Sequence, residues 1–426
     1  MEYKQKIIKR AREFFADRFD DVIHMVQQDR QALHGWEEPV HLRAALRRAV
    51  REGDAAEAAA TVVTAKAEFG RGAGEPDRGQ QREAIGQLLE AAATALQKAS
   101  ASEKPELTSD ELLGLEAVIL MCGRPAVLVS QGRLAEAPPF WNVLEDQRED
   151  VEIAQRGVGR IELLGHPEYD WAGTGFLVGD TALMTTRQTA EVFAEDGGTG
   201  QWQFRPGITA WMNYQAEYQQ PPSAAYRIQA VIGVHDKYDL ALLQVEPPQP
   251  TVGAPVSLGL AAEPPARLEG RSVYLVGYPA RDARRDEPEA IARIFRDVYN
   301  VKRVQPGVLR GMLQFRDVNL LQHDCAMLGN SAGSCLLDLE THQILGLQLT
   351  SRYLEAGVAV PLWVLRDDPL LKCAGVNFAV ANPKDLEGIT EQVERLSRSR
   401  FWPDARGAIT TLYQRAFGTS RAQAGG

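Results

Sequence analysis

From residue 158 onward the apolar pattern of this chain breaks into short runs: Val158 to Leu164, Thr174 to Val178, Leu183 to Thr186, Tyr226 to Val234, Leu240 to Val245, Ser272 to Val276 and Ile344 to Leu349. Glycine and proline punctuate the stretches between them. Runs this short, rich in Val, Ile, Leu and Thr, read as strands, and several in series close into a barrel or stack as a sandwich. The middle of the chain is therefore committed to pairing segments that lie far apart in sequence.

The flanks follow a different period. Residues 5 to 26 place Ile7, Ile8, Ala11, Phe14, Phe15, Phe19, Val22 and Ile23 at helical spacing, with Lys and Arg opposite, which predicts an amphipathic helix. An Ala-rich helix is expected over 41 to 67, a loop from Gly70 to Gly79, and a third helix from Gln80 to Ala99 carrying Ile85, Leu88, Leu89, Ala92 and Leu96. A polar linker follows, and Thr108 with Glu111 has capping-box spacing ahead of the apolar run Leu112 to Leu120. Trp141 to Ile153 is read as one further helix, and Pro383 to Gly418 as a C-terminal helical hairpin. The expected organisation is thus multi-domain, α plus β: a helical module (1–105), a helical lead-in (106–155), a β-barrel region (156–372) and a helical tail (373–426). The segment Arg281 to Glu289 is strongly charged and reads as an exposed loop.

Composition narrows the function. With 426 residues, 44% apolar and 24% charged, the chain can bury full cores. Its formal net charge of −10 argues against non-specific nucleic-acid binding. No apolar run approaches membrane-spanning length and the basic N-terminus is unlike a signal peptide, so a cytoplasmic protein without membrane association is expected. The four cysteines (Cys122, Cys325, Cys335, Cys373) form neither a disulfide framework nor a zinc spacing. No metal and no cofactor are expected.

The stretch with most chemical content is His323-Asp-Cys-Ala-Met-Leu-Gly-Asn-Ser-Ala-Gly-Ser-Cys-Leu-Leu-Asp338. It resembles the nucleophile loop of bacterial trypsin-like serine peptidases, which reads Asp-Cys-Ser-Thr-Leu-Gly-Gly-Asn-Ser-Gly-Ser-Cys. Further landmarks of the resemblance are Trp171-Ala-Gly-Thr-Gly-Phe-Leu-Val-Gly179, Asp239-Leu-Ala-Leu-Leu and Val276-Gly-Tyr-Pro-Ala-Arg, over about residues 115 to 372. The resemblance implies a chymotrypsin-like double β-barrel with a Ser-His-Asp triad. Laid on without a gap, it puts the nucleophile at Ala332, and the Thr-Asn-Arg-His-Val-Ala segment that carries the base falls on Thr185 to Ala190, giving Gln188. Only the orienting carboxylate, Asp239, is retained. Alanine cannot attack a carbonyl, and an amide has no proton-accepting pKa near neutrality. The oxyanion donors implied are the backbone N–H groups of Asn330 and Ala332, and the cleft strand, Gly-Leu-His-Phe-Gly-Gly in the family, reads Gly346-Leu-Gln-Leu-Thr-Ser351. Leu349, Thr350 and Ser351 are thus the cleft residues, with side chains where glycines leave room for a substrate strand.

The expected function is a pseudoprotease, a protein-binding scaffold or regulator whose partner is a protein or peptide, with bacterial antiviral defence the context implied by the resemblance. Two alternatives stand beside it. One is a serine endopeptidase seen as an inactivated variant, with Ala332 replacing serine or with Ser331 attacking instead. The other is a substrate cut by a partner protease in the 281 to 289 loop. Asp239 is expected to bond the Gln188 side-chain amide, and the seven histidines are expected to be structural.

Overall fold

The computed structural model describes residues 2–15, 19–20, 22–23, 78–119, 123–137, 141–198, 200–220, 225–248, 254–280, 298–326, 331–352 and 356–378. The expected Ala-rich helix at 41–67, the charged loop at 281–289 and the hairpin at 383–418 lie outside them.

The described residues fall into two compact units. In the first, drawn from Met1–Ser130 and Ala135–Asn142, lie helices α1 (Glu2–Phe15), α2 (Arg78–Ala101) and α3 (Ser109–Val118) and strand β1 (Val127–Ser130). The apolar stripe read from the first helix is buried: Ile7, Ile8, Ala11 and Phe15 face inward, as do Phe19, Val22 and Ile23 beyond it. Ala92, Leu96 and Ala99 of α2 and Leu115 and Val118 of α3 complete this core. α2 begins two residues before Gln80, because Arg78 and Gly79, assigned to the preceding loop, belong to its first turn. The capping box forms as its spacing predicts. Thr108 Oγ1 accepts the Glu111 N–H at 3.2 Å, and the Glu111 carboxylate accepts the Thr108 N–H at 3.0 Å. The Arg124 guanidinium packs over the Phe14 ring at 4.2 Å and the Trp141 ring at 5.4 Å.

The second unit, drawn from Gln131–Leu134, Val143–Asp282 and Tyr299–Gly426, opens with β2 (Arg133–Leu134). The single helix expected over Trp141 to Ile153 is in fact two, α4 (Asn142–Asp146) and α5 (Arg148–Ala154). Gln147 leaves helical geometry between them at φ −105°, ψ 14°, and its side chain meets His342 at 3.4 Å. No glycine or proline marks that break in the sequence.

Two six-stranded antiparallel rings follow. In the first, β3 (Val158–Leu164), β4 (Trp171–Leu177) and β5 (Ala182–Thr185) lead to the short helix α6 (Arg187–Glu191) and the hairpin β6 (Ala194–Asp196) and β7 (Trp202–Phe204). Strands β8 (Thr209–Asn213), β9 (Tyr226–Val234) and β10 (Ala241–Val245) close the ring in the order β10-β5-β4-β3-β8-β9. In the second, β11 (Ser272–Gly277), β12 (Arg303–Phe315), β13 (Val318–His323), β14 (Cys335–Asp338), β15 (Ile344–Arg352) and β16 (Ala356–Pro361) run in the order β11-β14-β15-β16-β13-β12, and a β11–β12 pairing closes it. A last short helix, α7 (Pro369–Cys373), starts at the Asp368 cap. Each ring encloses its own core: Ile161, Leu183, Phe193, Met212 and Leu243 in the first, Val273, Leu275, Leu309, Leu321 and Leu336 in the second. Burying each such side chain contributes about 1.5–3 kcal/mol. This is the chymotrypsin-like double barrel the resemblance implies.

Candidate active site

β5 ends at Thr185 and the chain turns directly into α6. Thr186 caps that helix, its Oγ1 accepting the Thr189 N–H at 3.2 Å. The second residue of the helix is Gln188. Its backbone N–H donates to Asp239 Oδ1 at 3.0 Å, and its side chain is exposed. The expected bond between Asp239 and the Gln188 side-chain amide is therefore replaced by one from the main chain. A carboxylate beside the first turn of a helix finds free N–H donors there, which a side-chain amide must be ordered to supply. Asp239 precedes β10, at the far end of the turn that starts with His235.

The nucleophile turn comes from the other barrel. Ala332 is half-buried, and Gly333 follows at φ +85°. A Cβ on Gly333 would lie 2.2 Å from the Thr174 carbonyl oxygen and 3.0 Å from Thr185 Oγ1. Only glycine fits there. Thr174 is pinned in turn, since its carbonyl accepts the Thr185 hydroxyl at 2.7 Å and its Oγ1 accepts the Tyr278 N–H at 3.1 Å. The Gly333 N–H donates to the Gln348 carbonyl at 2.9 Å, and the Gln348 N–H to the Ser334 carbonyl at 2.9 Å. The turn is thus clasped between β4 and β5 on one side and β15 on the other, against the strand end from which α6 delivers Gln188. Asn330 lies outside the described residues. Ser331 is buried.

Beyond Gln348 the cleft strand departs from regular pairing. The register of β15 against β16 shifts between Gln348 and Thr350, then runs Thr350↔Val358 and Ser351↔Gly357. Leu349 and Ser351 are half-buried and Thr350 is exposed. A bulge at Leu349 re-aims the side chains that follow.

The described histidines have engaged ring nitrogens. His166 Nδ1 accepts the N–H groups of Glu168 and Tyr169, and His235 Nδ1 accepts those of Lys237 and Tyr238. His235 Nε2 faces the Asp368 carboxylate at 3.2 Å, while its carbonyl accepts the Arg187 guanidinium. His342 Nδ1 meets the Tyr274 hydroxyl at 2.9 Å. His323, fully buried, has Nδ1 on the Cys325 N–H at 3.3 Å and Nε2 on Gln348 Oε1 at 2.6 Å. Burial lowers its pKa, partly offset by the Gln348 bond and the Asp324 charge.

Sequence reasoning missed a buried cation. Lys302 is fully enclosed, and its Nζ donates to the Gln155 carbonyl at 3.1 Å, Gln155 Oε1 at 2.9 Å and the Tyr214 carbonyl at 2.5 Å. Glu217 lies 3.5 Å from it. Burial outweighs Glu217 and lowers its pKa to about 8. Nothing in the sequence around Lys302, Tyr299-Asn-Val-Lys-Arg303, marks it as internal.

Among the described residues no group of three or more His, Cys, Asp or Glu side chains is arranged to hold a metal ion, and no helix is long and apolar enough to cross a membrane.

Residues 173–347 match the family model of the trypsin-like peptidase domain. That span contains α6, Asp239 and the nucleophile turn. No curated protein matches the chain. Among solved structures, the active form of the Rv3671c protease from Mycobacterium tuberculosis is similar at 17% identity over 56% of this chain and 89% of that one, with a TM-score of 0.36. Its inactive form is 19% identical over 53% and 93%, with a TM-score of 0.33. A serine-to-alanine mutant of the same protein, in the inactive form, is 20% identical over 50% and 84%, with a TM-score of 0.32.

Proposed function

We propose that the double barrel is a pseudoprotease, binding an extended segment of a partner protein without hydrolysing it and so acting as a scaffold or regulator. The observation that carries this is α6: it is capped and held by Asp239 as a base-bearing helix would be, and it presents Gln188. Acyl transfer needs a group that takes the nucleophile's proton and is itself oriented by a carboxylate. The Gln188 amide takes no proton near neutrality, so Asp239 has no imidazole there to orient. Ala332 supplies no hydroxyl. His235, the histidine nearest Asp239 in the chain, is committed to Asp368 and to its own turn.

The test separates a missing nucleophile from a missing base. Ala332→Ser in the full chain is incubated with a serine-directed diphenyl phosphonate, beside a Gln188→His, Ala332→Ser double variant. The single variant is expected to stay unlabelled. Its labelling would overturn the reading in favour of a peptidase lacking one oxygen.

A further inference from the structure

The Gln348 side chain is fully determined by its neighbours. Its Nε2 donates to the Thr350 carbonyl at 2.9 Å, across the bulge, which orients the amide and turns Oε1 toward His323. The Cys325 N–H points at His323 Nδ1, so that nitrogen is the acceptor and Nε2 carries the proton given to Gln348. The chain of bonds runs from Cys325, at the start of the nucleophile loop, through the ring and Gln348, to Thr350 in the cleft strand. There is no slack in it. A Cβ on Gly357 of β16 would lie 2.2 Å from the His323 ring, so the ring is packed against bare backbone. The family pattern has a histidine at position 348, whereas here a glutamine stands there and a histidine faces it from β13.

We infer that the His323–Gln348 pair is a latch, closed when His323 is neutral, that holds the bulged cleft strand Leu349–Ser351 and the base of the nucleophile loop in the arrangement that receives a peptide. The inference rests on the cleft being the peptide site. A proton added at Nδ1 turns the acceptor of the Cys325 N–H into a second donor facing it, and that bond is lost. The charged groups facing the ring limit the rescue. Asp324, next in the chain, has Oδ1 on the Val308 N–H at 2.8 Å and Oδ2 on Arg310 of β12 at 2.5 Å, so its charge is already answered. β15 presents the neutral Gln348, β16 presents Gly357, and the loop presents Cys325 with its buried thiol. Acid therefore opens the latch.

Hydrogen exchange of the full chain, followed by mass spectrometry from pH 8 to 5 and corrected for intrinsic rates, reads the latch directly. Residues 321–326 and 347–352 are expected to lose protection about tenfold per pH unit below the ordinary histidine range, while β3 does not. Gln348→Glu, which stabilises the charged ring inside the closed latch, shrinks this loss, and His323→Gln abolishes the pH step. Unchanged protection in the wild type, or a step that persists in His323→Gln, overturns the latch. Should His323→Gln not fold, a 15N titration of the His323 ring decides, because loss of protection while the ring stays neutral excludes it. Capture of an N-acetylated, C-amidated hexapeptide library on the immobilised chain at pH 7.5 and 5.5 separates the two ideas. A pH step in exchange without capture at either pH leaves the latch standing and removes the peptide-site reading. Equal capture at both pH values with the ring protonated overturns the latch.

Discussion

Lys302 makes a stability prediction whose sign runs against intuition for an ion pair. Its pKa falls from the ordinary 10.5 to about 8 because desolvation outweighs the attraction of Glu217. Between those two values the unfolded chain binds the proton and the folded chain does not, so stability rises with pH across that window. The difference between 10.5 and about 8 corresponds to about 3 kcal/mol, held back in full below pH 8 and released by pH 10.5. Replacing the lysine has the opposite consequence at neutral pH. Lys302→Met leaves two carbonyls, the Gln155 amide oxygen and the buried Glu217 carboxylate without their donor. Breaking one side of a buried pair costs about 3–5 kcal/mol, more than the desolvation relieved. Glu217 keeps the Gly132 N–H at 2.7 Å, which places the loss toward the lower end. Urea melts at pH 7, 8, 9 and 10 on wild type, Lys302→Met and Lys302→Met with Glu217→Leu provide the measurement. Wild type should gain stability over that series relative to Lys302→Met, and the double variant should recover most of the loss. A wild type that weakens relative to Lys302→Met from pH 8 to 10, or a Lys302→Met protein as stable as wild type at pH 7, would refute the reasoning.

Gly333→Ala places a methyl against the Thr174 carbonyl at a left-handed φ, and is expected to lower stability by more than about 1 kcal/mol in the same melts. Ala332→Gly beside it should be mild. Asp239→Ala removes the acceptor of the Gln188 N–H and is expected to cost about 1 kcal/mol, with faster exchange confined to residues 186–191.

The barrel was legible because its strands announce themselves locally. Val158–Leu164 and Tyr226–Val234 form with the bounds their patterns suggest, and the Thr108 capping box closes as spaced. The strands that escaped notice are of another kind. β12 runs through Pro306, Gly307 and Gly311 and then into exposed Met312, Leu313 and Phe315, so neither alternation nor composition marks it. β14 is buried at every position and indistinguishable from the loop sequence that resembles a nucleophile turn. At the site, the positions of Gln188 and Asp239 followed from motif order, but the atom that joins them did not, because a sequence does not say whether main chain or side chain will reach a carboxylate first. Lys302 and the His323–Gln348 pair were invisible for a related reason. Both depend on what three or four distant segments bring to one point.

The clasped turn at Gly333 has a consequence for how such a site wears away. Gln188 ends in solvent, and Ala332, half-buried, carries a single methyl. Gly333 and Asp239 are different, since one fits against the opposite barrel only without a side chain and the other holds the first turn of a helix. Chemistry at this site is cheap to lose and its mechanical seat is not, and drift would erase the reactive atoms first while leaving the outline of the groove for another use.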